Sequence, residues 1–278
     1  MTTIQNLIYN SATFLYYRIK RRWVNMLIWA AVWLALGLTY STLFNSLSSG
    51  AKDFQTAIQS LPKSITTSFN IGEDYLSKVE NFLSGQFLTL FTLAGTVFGV
   101  MIGVGEIGGK IEDGTLVHFM TKNLSRIQIY LLQNLTNIVF LGVSNVIIWA
   151  GIYLEFKLFA TSQSDIHSQF FALGCLATWL MFVAASSFGQ FLGAWFSKNI
   201  AQYSGITILV FMWFLHGLSN TDGYPDWLKP LTIFYYLDVP KLRDEFLLDT
   251  SRTLVFVLIT IISVIFGSAI FRQKDLRL

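Results

Sequence analysis

The chain has 278 residues, a formal net charge of +3, 53% hydrophobic residues and only 13% charged ones. That charged share is about half of what a soluble domain carries, which excludes an ordinary water-soluble enzyme or binding module. A single cysteine, Cys175, excludes a disulfide or a cysteine metal site within one chain.

Residues 1–22 place Ile4, Leu7, Ile8 and Leu15 near one helical face and end in Arg18, Lys20, Arg21 and Arg22. This pattern predicts an amphipathic helix lying on a membrane surface. Six stretches without Asp, Glu, Lys or Arg follow: 23–51, 81–105, 127–154, 166–197, 199–221 and 253–271. Each approaches or exceeds the roughly 20 residues that a helix needs to cross about 30 Å of hydrocarbon. Backbone groups in lipid must be satisfied internally, and the period-2 alternation of a barrel is absent, so the spans are expected to be helices. The first is too long, with the wrong flanks, for a cleavable signal core. The expected fold is all-α, a polytopic membrane protein with six transmembrane helices filling residues 23–278.

Two longer connections fall on one side. Residues ~46–80 carry Phe54, Ile58 and Leu61 at the spacing of a short amphipathic helix before Pro62. Residues ~219–252 are aromatic and acidic, with Tyr224, Trp227, Tyr235 and Tyr236 suited to the interface belt. With both termini placed inside, the inner segments hold eleven basic and four acidic residues, against eight and twelve outside. The basic excess marks the cytosolic side, so the net charge is a topological signal and no nucleic-acid partner is expected.

One inner loop has content. Gly105, Gly108 and Gly109 are expected to end or loosen the second span, since glycine costs about 1 kcal/mol in a helix interior. Asp113 or Thr115 can then cap a short transverse helix with Leu116, Phe119 and Met120 on one side, and Thr121, Asn123 or Ser125 can cap the third span. Apolar knobs facing the cytosol need a partner.

The run GKIEDGTL…NLSR (109–126) resembles the GE-x-E-x-GT-[LI]…P-[VI]-S-R segment of ABC-2-type exporter permeases. Leu61-Pro62, Phe69 and Phe82-Leu83, then PDWL (225–228) with Tyr235-Tyr236, and finally FRQKDL (271–276) fit the same family in order. Lys110 stands where the family usually has an acid, and Asn123 where it usually has proline. The resemblance implies that 109–126 is a coupling helix docking in a groove of a separate ABC ATP-binding subunit. Residues 1–22 would be the elbow helix. Leu116 and Phe119 would fill the groove, Asp113 and Thr115 would cap the helix, Glu112 and Arg126 would fix the register by salt bridges, and Gly114 and Met120 complete the docking set.

The implied function is that of the transmembrane permease subunit of an ATP-driven exporter for an amphipathic or hydrophobic cargo: a peptide, a drug-like molecule or a lipid. The implied assembly has two ATP-binding subunits, a second permease subunit (identical or homologous) and surrounding membrane lipid, in the cell membrane of a bacterium. ATP and Mg belong to the partner; no cofactor is expected in this chain. No GxxxxGK[ST] loop occurs, so the chain is not expected to be an enzyme by itself, and LSGQ at 83–86 is read as chance.

Small residues recur at Gly95, Gly99 and Gly103 and at Ala185, Gly189 and Gly193, a spacing that lets helix backbones approach closely. Packing within the subunit, a dimer seam and a path face all fit. His216 reads as a hydrogen-bonded structural histidine, and His118, His167 and His216 lack metal-ligand spacing. No span is expected to contain a buried carboxylate or a basic residue, which argues against ion-coupled transport. An intramembrane enzyme would need convergent acid and base groups, and Ser186, Ser187 and His216 have no supporting acid. A non-transporting scaffold or immunity protein is the other alternative.

Overall fold

The computed structural model describes residues 3–49, 56, 75–116, 124–160, 166–220 and 224–274, with backbone alone for 3–19, 21 and 49. The described residues are helical and include no strand. Six helices are long and apolar enough to cross a membrane. They are contained in α1 (Thr3–Ser49), α2 (Val79–Glu112), α3 (Arg126–Phe159), α4 (Ser168–Trp195), α5 (Lys198–Ser219) and α7 (Thr250–Gln273). The short α6 (Val239–Asp244) follows two 3-10 turns at Asp226–Leu231 and Ile233–Tyr236. The chain is therefore a multi-pass membrane protein by length and composition of its helices.

Two boundaries differ from the sequence reading. The expected surface helix 1–22 is continuous with the first span, because α1 runs as one helix from Thr3 to Ser49. The glycines at 105–109 do not end the second span. They loosen it into one π-helical turn, Gly105–Gly109, and helix continues to Glu112. A second π-helical turn, Leu83–Phe87, absorbs the LSGQ run near the other end, where Leu83, Ser84 and Gly85 are buried. The expected amphipathic helix around Phe54–Leu61 lies outside the described residues.

The most buried helix is α4, which packs against α2, α3, α5 and α7. Its contact with α2 is made by both small-residue stripes. A Cβ on Gly99 would lie 2.8 Å from the Phe182 carbonyl oxygen, and one on Gly103 would lie 2.7 Å from the Gln190 nitrogen. From the other side, a Cβ on Gly189 would come 2.8 Å from Val100 Cα, and one on Gly193 would come 3.1 Å from the Val104 carbonyl. Gly95 faces the Phe182 ring, and Ala185 sits beside Gly99. In this arrangement both stripes are consumed inside one chain, backbone against backbone.

Polar side chains join α3 to α4. Asn134 donates to Ser187 at 2.9 Å and to Gln190 at 3.1 Å, and Gln190 donates to the Tyr130 carbonyl at 2.9 Å. Eleven residues further along α3, about 16 Å, Asn145 donates to the Cys175 carbonyl and to Thr178, which also accepts from the Trp149 indole. Aromatic rings fill the rest: Trp33 meets Phe87 and Phe91 edge-on, and Trp149 meets Phe87, Phe91, Phe170 and Phe171. Such pairs add about 0.5–1.5 kcal/mol beyond area burial. The outward faces of α1, α5 and α7 are apolar and exposed, including Leu27, Ile28, Phe211, Phe214, Leu258 and Ile262.

Candidate functional site

At one end of the bundle α2 leaves, α3 enters, and both chain ends of the spanning region meet. The segment 105–116 of α2 and the turn after it is tied there to α1, α3, α4, α5 and α7. Its first anchor is Glu106, whose carboxylate is fully buried and pairs with both Arg22 of α1 and Lys110 one helical turn on. Arg22 also donates to Asn137 of α3 at 3.0 Å. A carboxylate removed from water is tolerated when cations and hydrogen bonds replace its hydration. Glu80, at the far end of α2, is also buried and accepts the His167 backbone N–H at 2.8 Å. The expectation that the spans hold no buried carboxylate is thus corrected: both acids lie just past the ends of a charge-free stretch, yet inside the helix.

The second anchor is Glu112. Its side chain is exposed, and Oε1 accepts the backbone N–H of Lys198 at 2.8 Å. Lys198 is the first residue of α5, and Ser197 makes no side-chain cap there, so Glu112 supplies the missing acceptor from another helix. Gly108 makes this approach possible, with a Cβ there only 3.4 Å from Lys198 Cα and 3.3 Å from Gly193 Cα.

The chain then reverses. Asp113 terminates the helix, its N–H bonding to the Gly109 carbonyl at 2.9 Å. Gly114 takes φ +65°, a left-handed conformation that costs other residues about 1–2 kcal/mol. Leu116 N–H returns to the Lys110 carbonyl at 3.1 Å. The Leu116 side chain is buried among Ile107, Ile129, Tyr130, Ala194 and Phe271. It anchors the loop to α3, α4 and α7, where the sequence reading had it facing a partner. Asp113 and Thr115 are exposed, while Phe119, Met120 and His118 lie outside the described residues.

Arg126 opens α3. It donates to the backbone carbonyls of Lys274 at 2.7 Å and Arg272 at 3.3 Å, satisfying the end of α7. Within this chain the side chains of Arg126 and Glu112 each cap a neighbouring helix. Lys274 in turn donates to the Ala194 carbonyl at 2.9 Å, and its burial lowers its pKa while nearby Glu112 acts the other way. Ser125, with Gln128, forms a reciprocal capping box at the start of α3.

Sequence reasoning singled out Glu112, Leu116 and Arg126 and missed Arg22, Glu106, Asn137 and Lys274 as their neighbours. The i,i+4 spacing of Glu106 and Lys110 was the one local signal of the buried pair. His216 lies apart, at the other end of the bundle, with ring nitrogens 3.5 Å from Thr232 Oγ1 and 3.4 Å from Asn220 Nδ2. The chain matches no protein-family model, and no curated protein matches it.

Proposed function

We propose that this chain is the membrane-spanning permease subunit of an ATP-driven exporter, worked by a separate ATP-binding subunit docked on the segment 109–126. The observation that supports this most is the anchoring of one short loop to the other spans. Glu106 binds it to α1, Glu112 to α5, and Leu116 to α3 and α7. A displacement of the loop would be felt at once by packed helices, which is what a force-receiving element requires. The resemblance of residues 109–126 to the coupling segment of ABC-2-type permeases supports the same reading.

On this reading the end bearing Arg22, Arg126 and Lys274 faces the cytosol, in line with its basic excess. Asn134 and Asn145 of α3 bond to Ser187, Gln190 and Thr178 of α4 within the chain, and on this reading cargo would travel along an outer face. A second permease subunit would complete that path. The exposed aromatic side of α5, with Tyr203, Phe211 and Phe214, suits an amphipathic or hydrophobic cargo. ATP and Mg would be bound by the partner alone.

The test is Phe119→Asp. The variant should insert normally yet lose co-purification of a co-expressed ATP-binding subunit that the unaltered chain retains. Undiminished co-purification would reject the docking role.

A further inference from the structure

A cavity of about 340 Å³ lies between α1 and the α2–α3 pair, at the level of the buried ion pair. Its head is polar and its length is not. Arg22 and Asn25 line one end, while Ile28, Trp29, Val32 and Phe98 line the rest. Trp29 stacks on Phe98 with ring centroids 4.1 Å apart and forms the floor, and the Arg22 guanidinium lies 5.7 Å from the centre of the Phe140 ring. Ile28 and Val32 are more than half or half exposed, so the groove opens sideways to the bilayer.

We propose that this groove is a binding site for an anionic phospholipid of the adjacent leaflet. The phosphate sits on Arg22 and Asn25, and an acyl chain runs along Ile28, Trp29 and Val32. Three observations converge on that occupant. Arg22 spends one guanidinium N–H on Asn137 and pairs with Glu106, and a guanidinium has five donors, so N–H groups remain for a phosphate oxygen. The first 52 residues contain no acid, and the sequence clusters Arg18, Lys20 and Arg21 just before Arg22, so the charge of this segment favours an anion. Arg22 and Val32 are ten residues apart on a helix, about 15 Å, which is half the hydrocarbon thickness and the depth of one leaflet. A soluble anion would use only the polar end, and a zwitterionic lipid would bring a second cation beside Arg22.

The inference needs only a bilayer and is independent of the exporter reading. It is tested on the full chain in a neutral maltoside detergent by native mass spectrometry. The probes are dioctanoyl phosphatidylglycerol, dioctanoyl phosphatidylcholine and inorganic phosphate. The glycerol lipid should bind at least tenfold more tightly than the choline lipid, and inorganic phosphate should not displace it at equal concentration. Ile28→Trp fills the apolar length while leaving Arg22 paired with Glu106, and should weaken phosphatidylglycerol binding at least tenfold. Arg22→Gln should erase the preference between the two lipids. If that variant fails to fold, the headgroup comparison and Ile28→Trp decide alone. Equal binding of the two lipids, displacement by phosphate, or unchanged binding to Ile28→Trp would each overturn the assignment.

Discussion

Glu112 Oε1 lies 2.8 Å from the backbone nitrogen of Lys198, so the last residue of α2 caps the first turn of α5 across 86 positions of sequence. An acidic group at a helix N-terminus satisfies an orphan N–H and meets the positive end of the helix dipole. Removing an N-cap costs about 1 kcal/mol. Glu112→Ala should therefore lower stability by about that amount in a thermal melt, and Glu112→Gln by less, because the amide oxygen still accepts. Amide exchange at residues 198–201 should rise in Glu112→Ala before it rises elsewhere.

The buried carboxylate of Glu106 faces two cations. Glu106→Gln removes this counter-ion from Arg22 and Lys110, whose side chains are only 22% and 16% exposed, and should destabilise the protein by about 3–5 kcal/mol. Replacing Arg22 and Glu106 together by methionine should recover part of that loss. Unfolding curves of the three variants in one detergent check the order.

Two glycines two positions apart, Gly103 and Gly105, should respond in opposite directions. Around Gly105 no heavy atom lies within 4 Å of an added Cβ, so Gly105→Ala should stabilise α2 by about 0.5–1 kcal/mol. Gly103 belongs to the small-residue stripe: a Cβ there would be 2.7 Å from the Gln190 nitrogen, and backbone cannot rotate away. Gly103→Ala should cost about 1–3 kcal/mol and loosen the α2–α4 contact. Melting temperatures of the pair decide it.

At the start of α7, Asp249 accepts from the Ser251 hydroxyl and from the N–H groups of Ser251 and Arg252. The Ser251 hydroxyl bond contributes most, followed by that of the Arg252 N–H, and the carboxyl is held at about 2 against an ordinary 3.8. A depressed value means that the ionised cap stabilises the helix fully above about pH 4 and loses its effect as pH falls through about 2. Exchange protection at residues 251–253 should be flat from pH 7 to 4 and should decline toward pH 2. In Asp249→Asn that decline should vanish.

The six spans were legible because charge-free length is a local property that lipid imposes directly on sequence. Their ends were less so. Cutting at the nearest charge stops the second span at Gly105, whereas the helix keeps Glu106 because Arg22 and Lys110 compensate it from elsewhere. The small-residue spacing of Gly95–Gly103 and Ala185–Gly193 announced close packing without naming the partner, which only the tertiary fold supplies. Leu116 shows the same limit: its apolar character was plain, but its burial on Phe271 joins residues 155 positions apart. The caps given by Glu112 and Arg126 likewise connect distant segments, and no periodicity encodes them.

The central claim is that the segment 109–126 receives force from an ATP-binding subunit on the cytosolic side. The direct measurement is labelling of a single cysteine at position 119, in a chain with Cys175→Ser, by a membrane-impermeant maleimide. The account predicts labelling in inside-out vesicles, none in intact cells, and protection when the ATP-binding subunit is co-expressed. Labelling from the outer face of intact cells would contradict it.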